Sequence, residues 1–98
     1  MGNTVTEDEL ITRYIVADPR YSGSGDVRLR DSGIHVWALV GQLAASDWDD
    51  AAVSNEYGIP IAEVLAAHAY YRRNPDAIEG RLSANGEWPL PPAAAMRS

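Results

Sequence analysis

The chain has 98 residues, 46% of them hydrophobic, and a formal net charge of −6 at pH 7. These values favour one folded domain with a modest core over a disordered segment. No apolar run approaches the ~20 residues that a membrane helix needs, and the acidic amino terminus is unlike a secretory signal. The sequence has no cysteine for disulfides or thiolate chemistry, as suits a cytoplasmic protein.

Acidic residues outnumber basic ones, and the basic residues are of a single type. Fourteen acidic residues stand against eight basic residues, all of which are arginine. An acidic domain repels the phosphate backbone, so we expect DNA binding by the protein alone to be weak. Arginine is favoured in interfacial ion pairs, but its exclusive use is explained equally well by a GC-rich genome.

The amino-terminal third predicts a short helix and two short strands. Thr6 and Glu9 have the spacing of a capping box, which predicts a helix start. Residues 12–17 are rich in β-branched and aromatic side chains, so a helix and a strand both remain open there. Residues 27–30 alternate apolar and charged side chains like a half-buried strand, and residues 31–33 form a turn. Two strands alone are marginal, which favours pairing across a dimer over pairing within the chain.

The helical part begins near Ile34 and contains a helix-turn-helix pattern. Residues 47–57 predict a helix with acidic residues at its start and with Val53 and Tyr57 on one face. Gly58 can adopt the left-handed conformation that ends a helix, and Pro60 sets the entry of the next one. That second helix carries a stripe of mostly apolar residues at three- and four-residue intervals, which is predicted to be its buried face: Ile61, Val64, Leu65, His68 and Tyr71.

Flanking helices complete the predicted domain. Before the helix-turn-helix, one face is predicted to carry Trp37, Val40, Leu43 and Ala44. After it, Asn74 and Pro75 restart a helix that places Ile78 and Leu82 four residues apart. We therefore predict a single domain over residues 1–85.

Residues 86–98 are predicted to be an extended, proline- and alanine-rich tail. Trp88 and Leu90 are apolar side chains on a segment that cannot bury them by itself. Two interpretations stay open: the tail orders on a partner, or it folds back over its own domain.

No catalytic or metal-binding constellation is recognisable, so we predict a protein that is not an enzyme and has no cofactor. His35 and His68 have no metal-ligand spacing; His68 is interpreted as a hydrogen-bonded core or interface residue, and His35 as a capping or packing residue. Asp47, Asp49 and Asp50 lack the pattern of a calcium loop and suit a helix amino terminus.

Three arginines are the candidate partner-binding cations. Arg72, Arg73 and Arg81 fall close together in the sequence, and they are interpreted either as a partner-binding patch or as cations that complement helix dipoles. Base readout by the second helix of the helix-turn-helix is not expected, because none of the following residues is a usual partner of guanine or adenine: Pro60, Ala62, Glu63, Ala66 and Ala67.

Several segments resemble the bacterial family called domain of unknown function 433. They are residues 13–15, 34–40, 53–60 and 63–74, followed by Ile78, and the similarity spans roughly Leu10 to Leu82. The resemblance implies a mainly α, homeodomain-like helix-turn-helix bundle with a short amino-terminal β element, usually dimeric. Many members look like antitoxins encoded beside a PIN-like nuclease toxin. The chain has residues 31–33, Asp-Ser-Gly, where many members carry Gly-Thr-Arg, so an electrostatic role there does not carry over.

The sequence thus supports two functional hypotheses. The first is an antitoxin-like protein that binds and neutralises a cognate toxin, with Trp88, Leu90, Arg72, Arg73 and Arg81 as the partner-binding residues. We expect this protein to be a homodimer that associates through its helical half. The alternative is a dimeric DNA-binding transcriptional regulator.

Overall fold

Helices dominate the fold. The computed structural model describes residues 6–17, 25–84 and 86. The elements within these residues are α1 (Glu7–Tyr14), β1 (Ile15–Ala17), β2 (Val27–Leu29), α2 (Val36–Ala45), α3 (Asp50–Tyr57), α4 (Ile61–Arg73) and α5 (Pro75–Ala84). The predicted fold class, mainly α with a short β element near the amino terminus, is confirmed.

Helix α1 is fastened at both ends by side chains. At its start the Thr6 hydroxyl accepts from the Glu9 amide at 3.1 Å and the Glu9 carboxylate accepts from the Thr6 amide at 3.0 Å, which confirms the capping box. At its end the Arg30 guanidinium donates to the carbonyls of Arg13 at 2.9 Å and Thr12 at 3.2 Å. The ambiguous segment 12–17 is therefore helical to Tyr14 and a strand from Ile15.

Strands β1 and β2 pair with each other inside the chain. They are antiparallel, with Ile15 opposite Leu29 and Ala17 opposite Val27. The preference for pairing across a dimer is therefore wrong. Two strands are marginal by themselves, but here Leu29 is fully buried in the core that the helices form. The alternation predicted for residues 27–30 is confirmed, since Val27 and Leu29 are buried whereas Arg28 and Arg30 are not, although β2 itself ends at Leu29.

Helix α2 supplies the largest share of the buried core. Its buried residues are Val36, Leu39, Val40, Leu43 and Ala44. The predicted face is confirmed for Val40, Leu43 and Ala44, while Trp37 is only partly buried against the core. Val36 and Leu39 widen that face beyond the prediction.

Helices α3 and α4 form the predicted helix-turn-helix. The Asp49 side chain caps α3 by accepting from the Ala52 amide at 3.1 Å. Gly58 ends α3 with φ of 67°, in the left-handed region that favours glycine. Tyr57, predicted to share the buried face of Val53, is 37% exposed, whereas Val53 is fully buried.

The prediction of which face of α4 is buried is largely wrong. Of the residues in the predicted stripe, only Val64 is fully buried, while Ile61 is 46% exposed and Leu65 is 37% exposed. The buried face is instead lined by Glu63, Val64, Ala66, Ala67 and Ala69. Alanine lets helix backbones approach closely, and α4 packs against α1, α2 and α3 on this side. Its bulkier apolar side chains consequently lie toward solvent.

Across the described part of the chain, no helix combines the length and hydrophobicity needed to cross a lipid bilayer.

Candidate partner-binding surface

Among the described residues, four large apolar side chains remain exposed in α3, in α4 and in the turn before α3, and we call them the apolar face. Their exposures are 37% for Trp48, 37% for Tyr57, 46% for Ile61 and 37% for Leu65. Ile61, Leu65 and His68 follow one another at four- and three-residue spacing, so they share one side of α4. Because Trp48 stacks on His68, its ring continues that stripe. An exposed apolar stripe on an otherwise charged domain is a typical protein-interaction surface.

Trp48 is held in place by backbone geometry and by ring stacking. It has φ of 61°, and Asp47 before it has φ of 58°. The left-handed region is unfavourable for a bulky side chain. Compensating contacts come from the Trp48 amide, which donates to the Leu43 carbonyl at 2.7 Å, and from ring centroids 5.5 Å away in both His68 and Tyr71. The indole is thus fixed beside α4.

His68 lies beneath this ring and is paired with Asp50. Its Nδ1 is 2.9 Å from Asp50 Oδ1, at hydrogen-bond distance, with side-chain exposures of 19% and 24% respectively. The prediction of a hydrogen-bonded histidine is confirmed. This pairing was not predicted from the sequence, because the helix dipole alone accounts for an aspartate at position 50. Among the described residues, no group of three or more histidine or carboxylate side chains could hold a metal ion.

Tyr71 connects this cluster to α5. Its hydroxyl donates to Glu79 Oε2 at 2.5 Å. Burial first, and then the hydrogen bond to the Glu79 carboxylate, raise the pKa of Tyr71 to about 12. Trp48, His68 and Tyr71 therefore form a continuous stacked group, with Asp50 and Glu79 as its polar anchors.

His35 matches its interpretation only in part. It occupies the N-cap position of α2 without a capping side-chain hydrogen bond, and its ring stacks on Trp37 at 5.9 Å. Its role is packing rather than capping.

Two of the predicted partner-binding arginines contact acidic residues of α1. Arg72 binds Glu7, while Arg73 binds Asp8 and also approaches Glu7 with its Nε 3.5 Å from the carboxylate. The hydrogen bond from Arg72, followed by the charges of both arginines, holds the pKa of Glu7 below its ordinary value. These cations join α4 to α1 rather than standing free.

Arg81 lies against a different acidic residue. Its Nε is 3.2 Å from Asp26 Oδ1. The structure therefore does not bring all three arginines onto one acidic partner. Trp88 and Leu90, the other predicted partner-binding residues, lie outside the described residues.

The positions considered for base readout are mostly inaccessible. Glu63, Ala66 and Ala67 are buried, so they cannot meet a DNA groove. Within the described residues, the Oε1 atom of Glu63 has no hydrogen-bond partner. The exposed positions on the amino-terminal half of α4 are Ile61 and Leu65, which offer no hydrogen bonds to base edges.

No family model, curated protein or solved structure matches the chain. The resemblance to the domain of unknown function 433 family accordingly stays a prediction.

Proposed function

We propose that this chain is an antitoxin-like protein that binds and neutralises a partner toxin. The observation that carries the proposal is the apolar face, whose four large side chains are between 37% and 46% exposed. A protein partner gains free energy by covering such a surface, because burial removes apolar area from water. The family resemblance names a PIN-like nuclease as the kind of toxin.

The distribution of cations also favours a protein partner over DNA. Arg72 and Arg73 are occupied by carboxylates of α1, and Arg81 by Asp26. For these arginines to pair with metal-binding carboxylates of a nuclease, the internal ion pairs would first have to open. We therefore assign the main contact to the apolar face, and an additional contact to Trp88 and Leu90 of the tail.

The test is co-expression with the product of the adjacent gene, followed by size-exclusion chromatography and a nuclease assay. We expect the two proteins to elute together at a defined stoichiometry and the nuclease to be silent. Removal of the residues after Asn85 should weaken the complex and leave the domain folded. Separate elution at micromolar concentration, with the nuclease fully active, contradicts the proposal.

A dimeric DNA-binding regulator is the second candidate, favoured by the helix-turn-helix of α3 and α4. A gel shift with the upstream DNA of its own gene, at low and moderate salt, separates the two functions. We expect no shift by the protein alone at moderate salt, since its exposed recognition positions are apolar and its net charge is −6. A specific shift there would favour the regulator.

A further inference from the structure

Exposed acidic residues adjoin members of the apolar face in the sequence. Asp47 and Asp49 flank Trp48 in the chain, Glu56 precedes Tyr57, and all three are exposed. Asp50 lies near them, with its carboxylate on His68. No arginine or lysine occurs between Arg30 and Arg72. Arg72, four residues beyond His68 on α4, is paired with Glu7. The charged side chains beside the apolar face are therefore mainly the carboxylates of Asp47, Asp49 and Glu56, which we call the acidic rim.

The acidic rim argues against three possible partners of the apolar face: a second copy of the chain, a phosphate-bearing DNA or membrane, and the tail of the chain itself. A twofold contact between copies of this chain would place the same carboxylates against one another. DNA and anionic membranes present phosphates, which the carboxylates repel. The tail of the chain, residues 87–98, carries one acidic and one basic side chain, Glu87 and Arg97, so it offers little complementary charge.

From this arrangement we infer that the apolar face binds a cationic amphipathic segment of a partner protein. The segment places apolar side chains on Trp48, Ile61 and Leu65 and lysine or arginine side chains against Asp47, Asp49 and Glu56. The stacked rings of Trp48, His68 and Tyr71 make this surface rigid before binding, which lowers the entropic cost of association. The inference rests on the proposed function and specifies the chemistry of the toxin surface.

The probe is a synthetic helical peptide of about 18 residues, or five turns. Leucine occupies one face and lysine or arginine occupies the other, with a fluorophore for anisotropy measurements. A second peptide keeps the leucine pattern and carries glutamate in place of the cations. We expect the full chain to bind the cationic peptide, more weakly as salt rises, and to bind the acidic peptide at least about tenfold more weakly. Equal affinity for both peptides would overturn the inference.

Two double variants locate the binding. Ile61→Ser/Leu65→Ser should lower the affinity for the cationic peptide about tenfold or more. Asp47→Asn/Glu56→Gln should lower this affinity several-fold and reduce its dependence on salt. The matched control, Asp31→Asn/Asp76→Asn, removes the same charge from other elements and should leave affinity and salt dependence unchanged. If the control variant loses as much affinity for the cationic peptide as Asp47→Asn/Glu56→Gln does, the attraction comes from the net charge of the protein and not from the acidic rim, and the inference fails.

Amide and methyl shifts of the full-length, isotope-labelled chain provide a readout that needs no variant. They should change around Trp48, Ile61 and Leu65 when the cationic peptide is added. Changes confined to other elements would overturn the inference. Dimerisation that disappears only in Ile61→Ser/Leu65→Ser would assign the face to a second copy, and tighter peptide binding by Trp88→Ala/Leu90→Ala would assign it to the tail.

The proposed function can fail separately. If the adjacent-gene product still co-elutes with Ile61→Ser/Leu65→Ser at unchanged affinity, this chain binds it through a surface other than the apolar face, and only the inference fails. If the cationic peptide binds at the face but the adjacent-gene product does not, the antitoxin-like function falls and the face retains its chemistry.

Discussion

At the scale of single residues, Tyr71 gives the fold a dependence on alkaline pH. The pKa of Tyr71 is raised to about 12 from its ordinary value of 10.0. Because the folded state favours the neutral phenol, this contribution to stability is complete below pH 10 and is lost as pH rises through 12. Tyr71→Phe removes the hydrogen bond to Glu79 and should lower the free energy of unfolding at neutral pH by about 1 kcal/mol.

Urea unfolding of both proteins between pH 8 and 12 measures this effect. The difference in stability between them should shrink above pH 10, since other tyrosines titrate alike in both. A constant difference up to pH 12 would show that Tyr71 does not titrate as its surroundings require.

Hydrogen-bonded pairs that are far apart in the sequence are the least predictable part of the molecule. Asp50 and His68 are 18 positions apart, and Arg30 caps a helix that ends 16 positions earlier, at Tyr14. Local patterns carry no signal for such pairs, because both partners are polar residues in ordinary polar positions. By contrast, the Thr6 cap and the Gly58 terminus lie within a few residues of their partners, and both were predictable from the sequence.

At the scale of elements, two glycines test where backbone freedom is required. Gly58 ends α3 with φ of 67°, whereas Gly80 lies inside α5 with no atom close to the position of an added Cβ. Gly58→Ala should destabilise the protein by about 1 kcal/mol, because alanine strains the left-handed conformation. Gly80→Ala should stabilise it by about 0.5–1 kcal/mol, since alanine is the better helix former.

Thermal unfolding by circular dichroism compares the two variants under identical conditions. Changes of opposite sign are expected. Stabilisation by Gly58→Ala would mean that the turn between α3 and α4 does not depend on the conformation of Gly58, and destabilisation by Gly80→Ala would mean that α5 does not tolerate the added methyl group.

The ion pairs between α1 and α4 predict how firmly α1 is attached. Helix α1 has no fully buried residue, and its Glu7 and Asp8 side chains pair with Arg72 and Arg73 of α4. The pKa of Glu7 is lowered from 4.5, so its contribution is present above pH 4.5 and is lost as pH falls through the lower folded value. Glu7→Gln/Asp8→Asn should therefore speed amide hydrogen exchange in α1 at neutral pH.

Glu56→Gln/Asp76→Asn is the matched control, because it removes the same charge without touching Arg72 or Arg73. Exchange in α1 should be unchanged in this control. Equal acceleration in both variants would attribute the effect to net charge instead of to the ion pairs.

The error on α4 shows what periodicity cannot decide. The predicted stripe and the buried face of this helix share only Val64. Periodicity grouped it with Ile61 and Leu65, whereas the helices packed around α4 bury it together with the small side chains of Ala66, Ala67 and Ala69, which permit close approach. The candidate surface follows from this choice, so it could not be derived from the sequence alone.

At the scale of the whole molecule, the charge is segregated. Arginines of α4 and α5 are matched to nearby carboxylates, whereas residues 31–71 hold acidic side chains and no arginine or lysine. Helix α3 and the turn before it carry four of the fourteen acidic residues, which are Asp47, Asp49, Asp50 and Glu56. The cations of α4 and α5 thus lie in internal ion pairs, whereas the surface near α3 carries negative charge.

One core joins the strands to the helices, so the domain should unfold as a unit. Leu29 of β2 is fully buried together with Leu39, Leu43 and Leu82. Leu29→Ala should cost about 2–5 kcal/mol, the usual range for a buried leucine. The same substitution at Leu65, which is 37% exposed, should cost well under half as much because no enclosed cavity is left. Urea unfolding followed by both far-ultraviolet circular dichroism and tryptophan fluorescence should give coincident transitions for both variants. If Leu29→Ala instead separates the two signals, the small sheet contributes a unit of its own and the single-core description is wrong.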